Sequence, residues 1–363
     1  MLALWCLTLS VAPGQTTNTH ATPAPPSNPV VNALLVANPA YQYNPRSLSV
    51  DEAKGIISIH GCATPFDNIQ PLATVDFCTD LTIHGCKVSS LEPIRKFKLT
   101  RFDLGDCPVN DLSPIQGMPI TYLIVYNTGV KSLEPLRGMP LQVLHTNAIY
   151  PSFYDVLSSL TTLKELESAY CKYDPQQLVK IPKTLTSLGL IHIQLTDGTP
   201  VDLASFQEQP LTSLQLLGTP ITNWDIISKF HHLKSLSTDD PVFDNFTRLK
   251  GLPIETLTIK YPQPSPLTIA GIQALPLKEL TLQNCLVNLN PLAGSPLQTI
   301  TFSAESITGG LDALKSCPAI TSVVVFFTDP SGQKGIKHYA GATAVDDFFK
   351  DVAAGTMKIG TLK

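Results

Sequence analysis

The chain has 363 residues, 43% of them hydrophobic and only 15% charged, with a net charge of -4. That length can bury a large core, while the absence of a basic surplus excludes the electrostatic footprint of a nucleic-acid binder. Its 31 prolines are spread along the chain rather than pooled, which argues against one long disordered tract.

The N-terminus opens with the apolar run MLALWCLTLSVA, and no Lys or Arg occurs before Arg46. Twelve residues are too few to cross a bilayer and suit the core of a signal peptide. The run lacks a basic leader, and Pro13 follows the small-residue match Ser10-Val11-Ala12, so the stump of a longer membrane anchor is the second reading of residues 1–14. Residues 15–29, with the stretch TTNTHATPAPPSNP, read as an extended Pro/Thr linker. Asn28 and Pro29 then form a cap and first-turn pair for a short helix over VVNALLVAN. An apolar leader and linker predict a location outside the cytoplasm, with membrane contact expected only where the N-terminal run serves as an anchor.

From there a period takes over. LTRFDLGDCPV (99–109), ITYLIVYNTGV (120–130), LTSLQLLGTPI (211–221), LKELTLQNCLV (277–287) and LQTITFSAESI (297–307) fit one frame, L-x-x-L-x-L-x-x-(N/C/T)-x-L. Thirteen such units are centred on Ile57, Leu81, Phe102, Leu123, Leu144, Leu166, Leu188, Leu214, Leu236, Leu257, Leu280, Ile300 and Val323, at spacings of 20 to 26 residues. One short strand per unit cannot bury its own apolar face. Stacked, the units form an α/β leucine-rich-repeat solenoid of about 13 coils over 30–358, with a concave parallel sheet and caps at 28–57 and 337–358.

Between strands the chain returns in two ways. LEPIRKFK (91–98), LSPIQGMP (112–119) and LEPLRGMP (133–140) are proline-bearing, single-turn returns whose leucines point inward. SFYDVLSSL after Pro151, DPQQLVKI (174–181), NWDIISKF (223–230), DNFTRLKG (244–251) and GGLDALKS (309–316) pair apolar residues at helical spacing and predict short convex helices.

This frame resembles the bacterial leucine-rich repeats of internalin type. It is similar in particular to arrays of Planctomycetes, Verrucomicrobia and Lentisphaerae, which often accompany a serine/threonine kinase domain and a transmembrane helix. ALLVANPAYQYNPRSLSVDEAKGIISI (33–59) resembles the opening segment of those arrays, and AVDDFFKDVAAGTMK (344–358) their closing amphipathic helix. The resemblance implies a recognition scaffold, with a protein as the expected partner, or a sensory array in a membrane-anchored kinase system; the chain is expected to be a monomer. No kinase motif is present in this chain.

Cys62, Cys86, Cys107, Cys171 and Cys285 all occupy the ninth position of their units, where a side chain turns inward and a thiol serves as a small apolar group with a weak donor. Disulfides between Cys62 and Cys86 or Cys86 and Cys107 would need a geometry that parallel neighbours rarely offer. IHGC occurs twice, so His60 and His84 share one outward position on adjacent strands, with Asp80, Asp103 and Asp106 nearby. Two imidazoles and a carboxylate such as Asp106 form a candidate zinc site, set against mere duplication of a repeat. Nucleophile elbows, zincin motifs and phosphate loops are absent, so no enzyme activity and no cofactor are expected.

The exposed strand face remains. Units four to seven offer Tyr122, Tyr126, Asn127, His145, Asn147, Glu165, Glu167, Tyr170 and His192, a mixture typical of recognition surfaces. Later units offer Ser213, Ser235, Ser237, Thr256, Thr258 and Thr281, a bland solvated sheet.

Overall fold

The computed structural model describes residues 27–61, 65–147, 153–243, 246–329, 331–357 and 359–360. Residues 1–26 lie outside this range, and with them the apolar run and most of the linker; Cys62 and Asn245 lie outside it too.

Among the described residues the principal sheet has 16 strands, and the thirteen apolar centres read from the sequence lie side by side in it. Ile57 pairs with Leu81, Leu81 with Phe102, Phe102 with Leu123, and Leu123 with Leu144. The register continues through Leu166, Leu188, Leu214 and Leu236 to Leu257, Leu280, Ile300 and Val323, all parallel. Physical necessity sets this register, because each centre is buried and a slip of one residue would carry it to the solvent face. Each unit is called a coil below, numbered one to thirteen by its centre.

Both ends of the parallel stack are closed by an antiparallel strand. Leu48–Asp51 pairs with Ile56–Ile59 at one end, and Lys334–Ala340 pairs with Ser322–Thr328 at the other. Helix α1 (Pro29–Ala37) begins on Asn28, whose side chain accepts from the amides of Val30 and Val31 at 2.9 and 3.1 Å. Buried Asn38 ends it, donating to the Leu34 and Asn68 carbonyls and accepting from the Asp67 and Asn68 amides, so the helix is tied to the first return.

Proline returns adopt one turn of 3₁₀ helix, at Glu92–Ile94, Ser113–Ile115, Glu134–Leu136 and Asn290–Leu292. In LSPIQGMP the Leu112 carbonyl accepts from the Ile115 amide at 3.0 Å, and proline stands where a free amide would have no partner. The second type of return is helical as expected, but α-helical only once, in α2 (Phe153–Ser159). Pro175–Lys180, Trp224–Lys229, Phe246–Leu249 and Leu311–Ser316 are 3₁₀ helices. Spacing explains the division. Buried Trp224, Ile227 and Phe230, like Leu311, Leu314 and Cys317, recur every three residues, the 3₁₀ period; Phe153, Val156, Leu157 and Leu160 follow the α pattern.

Beneath the strands the cysteines form a ladder. Cys86, Cys107, Cys171 and Cys285 donate to the carbonyls of His84, Gly105, Ala169 and Gln283 at 2.9 to 3.3 Å, and in coil eight the Thr219 hydroxyl plays the same part toward Leu217 while also reaching the Leu190 carbonyl of the preceding coil. Cys86 and Cys107 are free thiols, and no helix among the described residues is long and apolar enough to cross a membrane.

Candidate functional site

Strand alternation presents three residues per coil on the concave face, and the register stacks them into rows about 4.8 Å apart. The first row runs Asp80, Arg101, Tyr122, Val143, Glu165, and the second Asp103, Ile124, His145, Glu167, Gly189. Across these rows the side chains form one connected set. The Arg101 guanidinium lies 3.5 Å above the centre of the Tyr122 ring, with its Nε 3.8 Å from Asp80 Oδ1. Tyr122 and Tyr126 flank the His145 ring at 6.2 and 6.5 Å. His145, only 8% exposed, places Nε2 2.6 Å from Glu165 Oε1. The Tyr126 hydroxyl donates to Glu167 Oε1 at 2.5 Å.

Two of these contacts bear on ionisation. The hydrogen bond from His145 holds the Glu165 carboxyl below its ordinary range, and burial followed by the Glu167 charge pushes the Tyr126 phenol far up. Tyr126 is therefore a permanent donor.

Asn127 and Asn147 join a separate chain of amides. Asn127 donates to Asp106 Oδ1 at 2.9 Å and accepts from Asn147 Nδ2 at 2.9 Å, while its backbone amide donates to Asn147 Oδ1 at 3.2 Å. Tyr170 and His192 stack on each other, centroids 4.7 Å apart and planes at 16°. The structure thus sorts the nine residues into three groups: the Tyr122/Tyr126/His145/Glu165/Glu167 network, the Asn127–Asn147 pair, and the Tyr170–His192 stack. Alternation along the strand misplaces Asn127, Tyr170 and His192. They stand one residue past the last concave position, on left-handed backbone with φ of 49°, 57° and 51°.

The histidines of the IHGC pair stack 6.1 Å apart. His84 directs Nε2 to Asp103 Oδ1 at 2.5 Å, a contact that raises its basicity, whereas burial lowers that of His60. Asp106 is engaged by Asn127 instead. Among the described residues no group of three or more His, Cys, Asp or Glu side chains is placed to hold a metal ion.

Arg101 belongs to the network although alternation alone did not single it out. The signal was lateral: it occupies the same position in coil three as Tyr122 in coil four. Glycines carried another signal, since glycine within a strand marks close approach: a Cβ at Gly105 would collide with the His84 ring. Gly218, just past the strand Ser213–Leu217 and on left-handed backbone, leaves room in the same way for the His192 ring.

Toward the C-terminus the face changes. Ser213, Ser235, Ser237, Thr256, Thr258 and Thr281 line it, with half-buried Lys260. A cleft of about 630 Å³ opens beyond them, between Gln283, Asn284, Glu305 and the hairpin residues Phe326, Lys334 and Ile336.

The fold is a leucine-rich-repeat solenoid. An internalin of Listeria monocytogenes is similar to it, at 17% identity over 75% of this chain and 87% of that one, with a TM-score of 0.45. Internalin C2 of the same organism is 19% identical, over 63% of this chain and 91% of that one, with a TM-score of 0.37. No family model matches the chain, and no curated protein matches it.

Proposed function

We propose that this protein is a non-catalytic recognition scaffold that holds a protein partner against the concave face of coils four to seven, outside the cytoplasm. One observation carries the reading: rings and carboxylates interlock on adjacent coils, while the same positions of coils eight to twelve are mostly serine and threonine, with Gln215, Lys260, Glu279 and Gln283 among them and no aromatic ring. Aromatic area with polar tips favours protein contacts at low cost in side-chain entropy. The apolar run at residues 1–12 supports the location.

The test compares two double variants as bait for crosslinked partners from native extracts. Tyr126→Ala/Tyr170→Ala loses the partner that the unaltered chain captures, and Thr258→Ala/Thr281→Ala retains it. Undiminished capture by the tyrosine variant would refute the concave site.

A further inference from the structure

At the end of each concave strand the chain must turn inward while its next amide still reaches across to the following coil. Gly61, Gly85 and Asp106 do this in left-handed conformation, donating to the carbonyls of His84, Gly105 and Tyr126 at 3.0 Å each. Glycine, Asn and Asp tolerate that backbone; a large side chain is strained there. Coils six and seven nonetheless place Tyr170 and His192 at this point, their amides donating to Ile191 and Leu217 at 2.8 and 2.5 Å.

Burial does not repay the strain at Tyr170, because this side chain is 73% exposed. Instead the surroundings hold it in place. His192 stacks on one face of the ring and itself rests on bare Gly218, whose amide is fixed by both carboxylate oxygens of Asp239 at 2.7 and 2.8 Å. The result is an aromatic platform raised at the edge of the concave face.

Charge selects what such a platform would take. On the concave side of coils two to six, Asp80, Asp103, Asp106, Glu165 and Glu167 outnumber the basic groups, which are the Arg101 guanidinium and the imidazoles of His84 and His145. A tyrosine face at the end of the strand that carries Glu165 and Glu167 suits a planar cation. Arg101, stacked on Tyr122 and close to Asp80, already displays this mode of contact within the molecule.

We propose that the partner presents a basic segment with an arginine seated on Tyr170 and further cationic residues over Glu165 and Glu167. This assignment rests on the concave-face reading above and deepens it. Fluorescently labelled Gly/Ser peptides carrying arginine, lysine or citrulline at the same positions, titrated into the full chain, test it. The arginine peptide should bind about threefold tighter than the lysine peptide, and the citrulline peptide weakest. Tyr170→Ala should abolish the arginine preference and Tyr170→Phe keep it, both variants melting like the unaltered chain. Equal binding of arginine and lysine peptides, or a preference that survives Tyr170→Ala, would overturn the assignment; so would Tyr170-dependent binding of neutral saccharides without peptide binding. If Tyr170→Ala loses the captured partner while the peptides show no preference, the recognition face stands and the arginine assignment falls. If capture is unaffected by the tyrosine variant, both fall.

Discussion

Coils two to seven and coils eight to twelve share one backbone and one register, yet their concave faces differ in kind. In the first group Arg101, Tyr122, His145, Glu165 and Glu167 interlock; in the second, Ser235, Thr256, Thr258 and Thr281 stand side by side. The serine and threonine coils keep the same register at their centres, with one shift beyond Lys260, so the solenoid does not need the interlocked set in order to stack. What the first group adds is a surface, and its elaboration calls for a reason other than folding.

The largest expected effect tests whether the two regions are alike underneath. Leu166 and Leu280 are equivalent centres with exposures of 0% and 1%. Changing either to alanine should cost about 2–5 kcal/mol in denaturant unfolding, and the two costs should agree within about 1 kcal/mol. A much cheaper Leu166→Ala would mean that the first region relies on its concave side chains for stability.

A second pair of variants separates the faces. His145→Ala removes a nearly buried ring together with its contact to Glu165, whose carboxylate water can still reach, and should cost about 1–2 kcal/mol. Thr258→Ala removes an exposed-face hydroxyl and should stay within about 0.5 kcal/mol. Equal costs would erase the contrast.

Much of the fold was legible because burial repeats. The thirteen centres could be read in register since each must be apolar and their spacing varies little. Helix type was legible in principle from the same residues: Trp224, Ile227 and Phe230 are spaced by three, and only Phe153 to Leu160 carries the α pattern. The site was harder to read. Its concave residues follow from alternation, but their partners lie one coil away, so Arg101 over Tyr122 emerges only when rows are compared across units. The left-handed positions of Tyr170 and His192 escape a reading by residue type, which puts glycine or asparagine there. The backbone demand comes from the ladder, not from the local sequence.

The histidines of coils one and two give a pH-dependent contrast of opposite signs. His84 is raised above its ordinary value of 6.5, first by its hydrogen bond to Asp103, so its contribution to stability is present below that value and is lost as pH rises through the folded one. His60 is lowered, first by burial, so its contribution is present above 6.5 and lost as pH falls. The unfolding temperature of His84→Gln should therefore lag the unaltered chain most at about pH 5.5 and least at about pH 8.5. A lag that grows with pH would contradict the His84–Asp103 pairing.

The smallest effect is the most discriminating. Replacing Tyr170 by glycine relieves a left-handed strain of about 1–2 kcal/mol. It also forfeits an exposed ring stack of about 0.5–1 kcal/mol and adds about 0.5–1 kcal/mol of unfolded-chain entropy. These terms nearly cancel, so thermal unfolding of Tyr170→Gly should lie within about 1 kcal/mol of the unaltered chain. Gly61 occupies the same point of coil one, at φ 55° with open space around it, so Gly61→Ala sets the strain against the unfolded-chain entropy with no ring stack involved and should cost about 1 kcal/mol. A loss above about 2 kcal/mol on Tyr170→Gly would make Tyr170 a structural anchor. A neutral change together with lost partner binding would mean that coil six keeps a strained, exposed ring for contact with something other than itself.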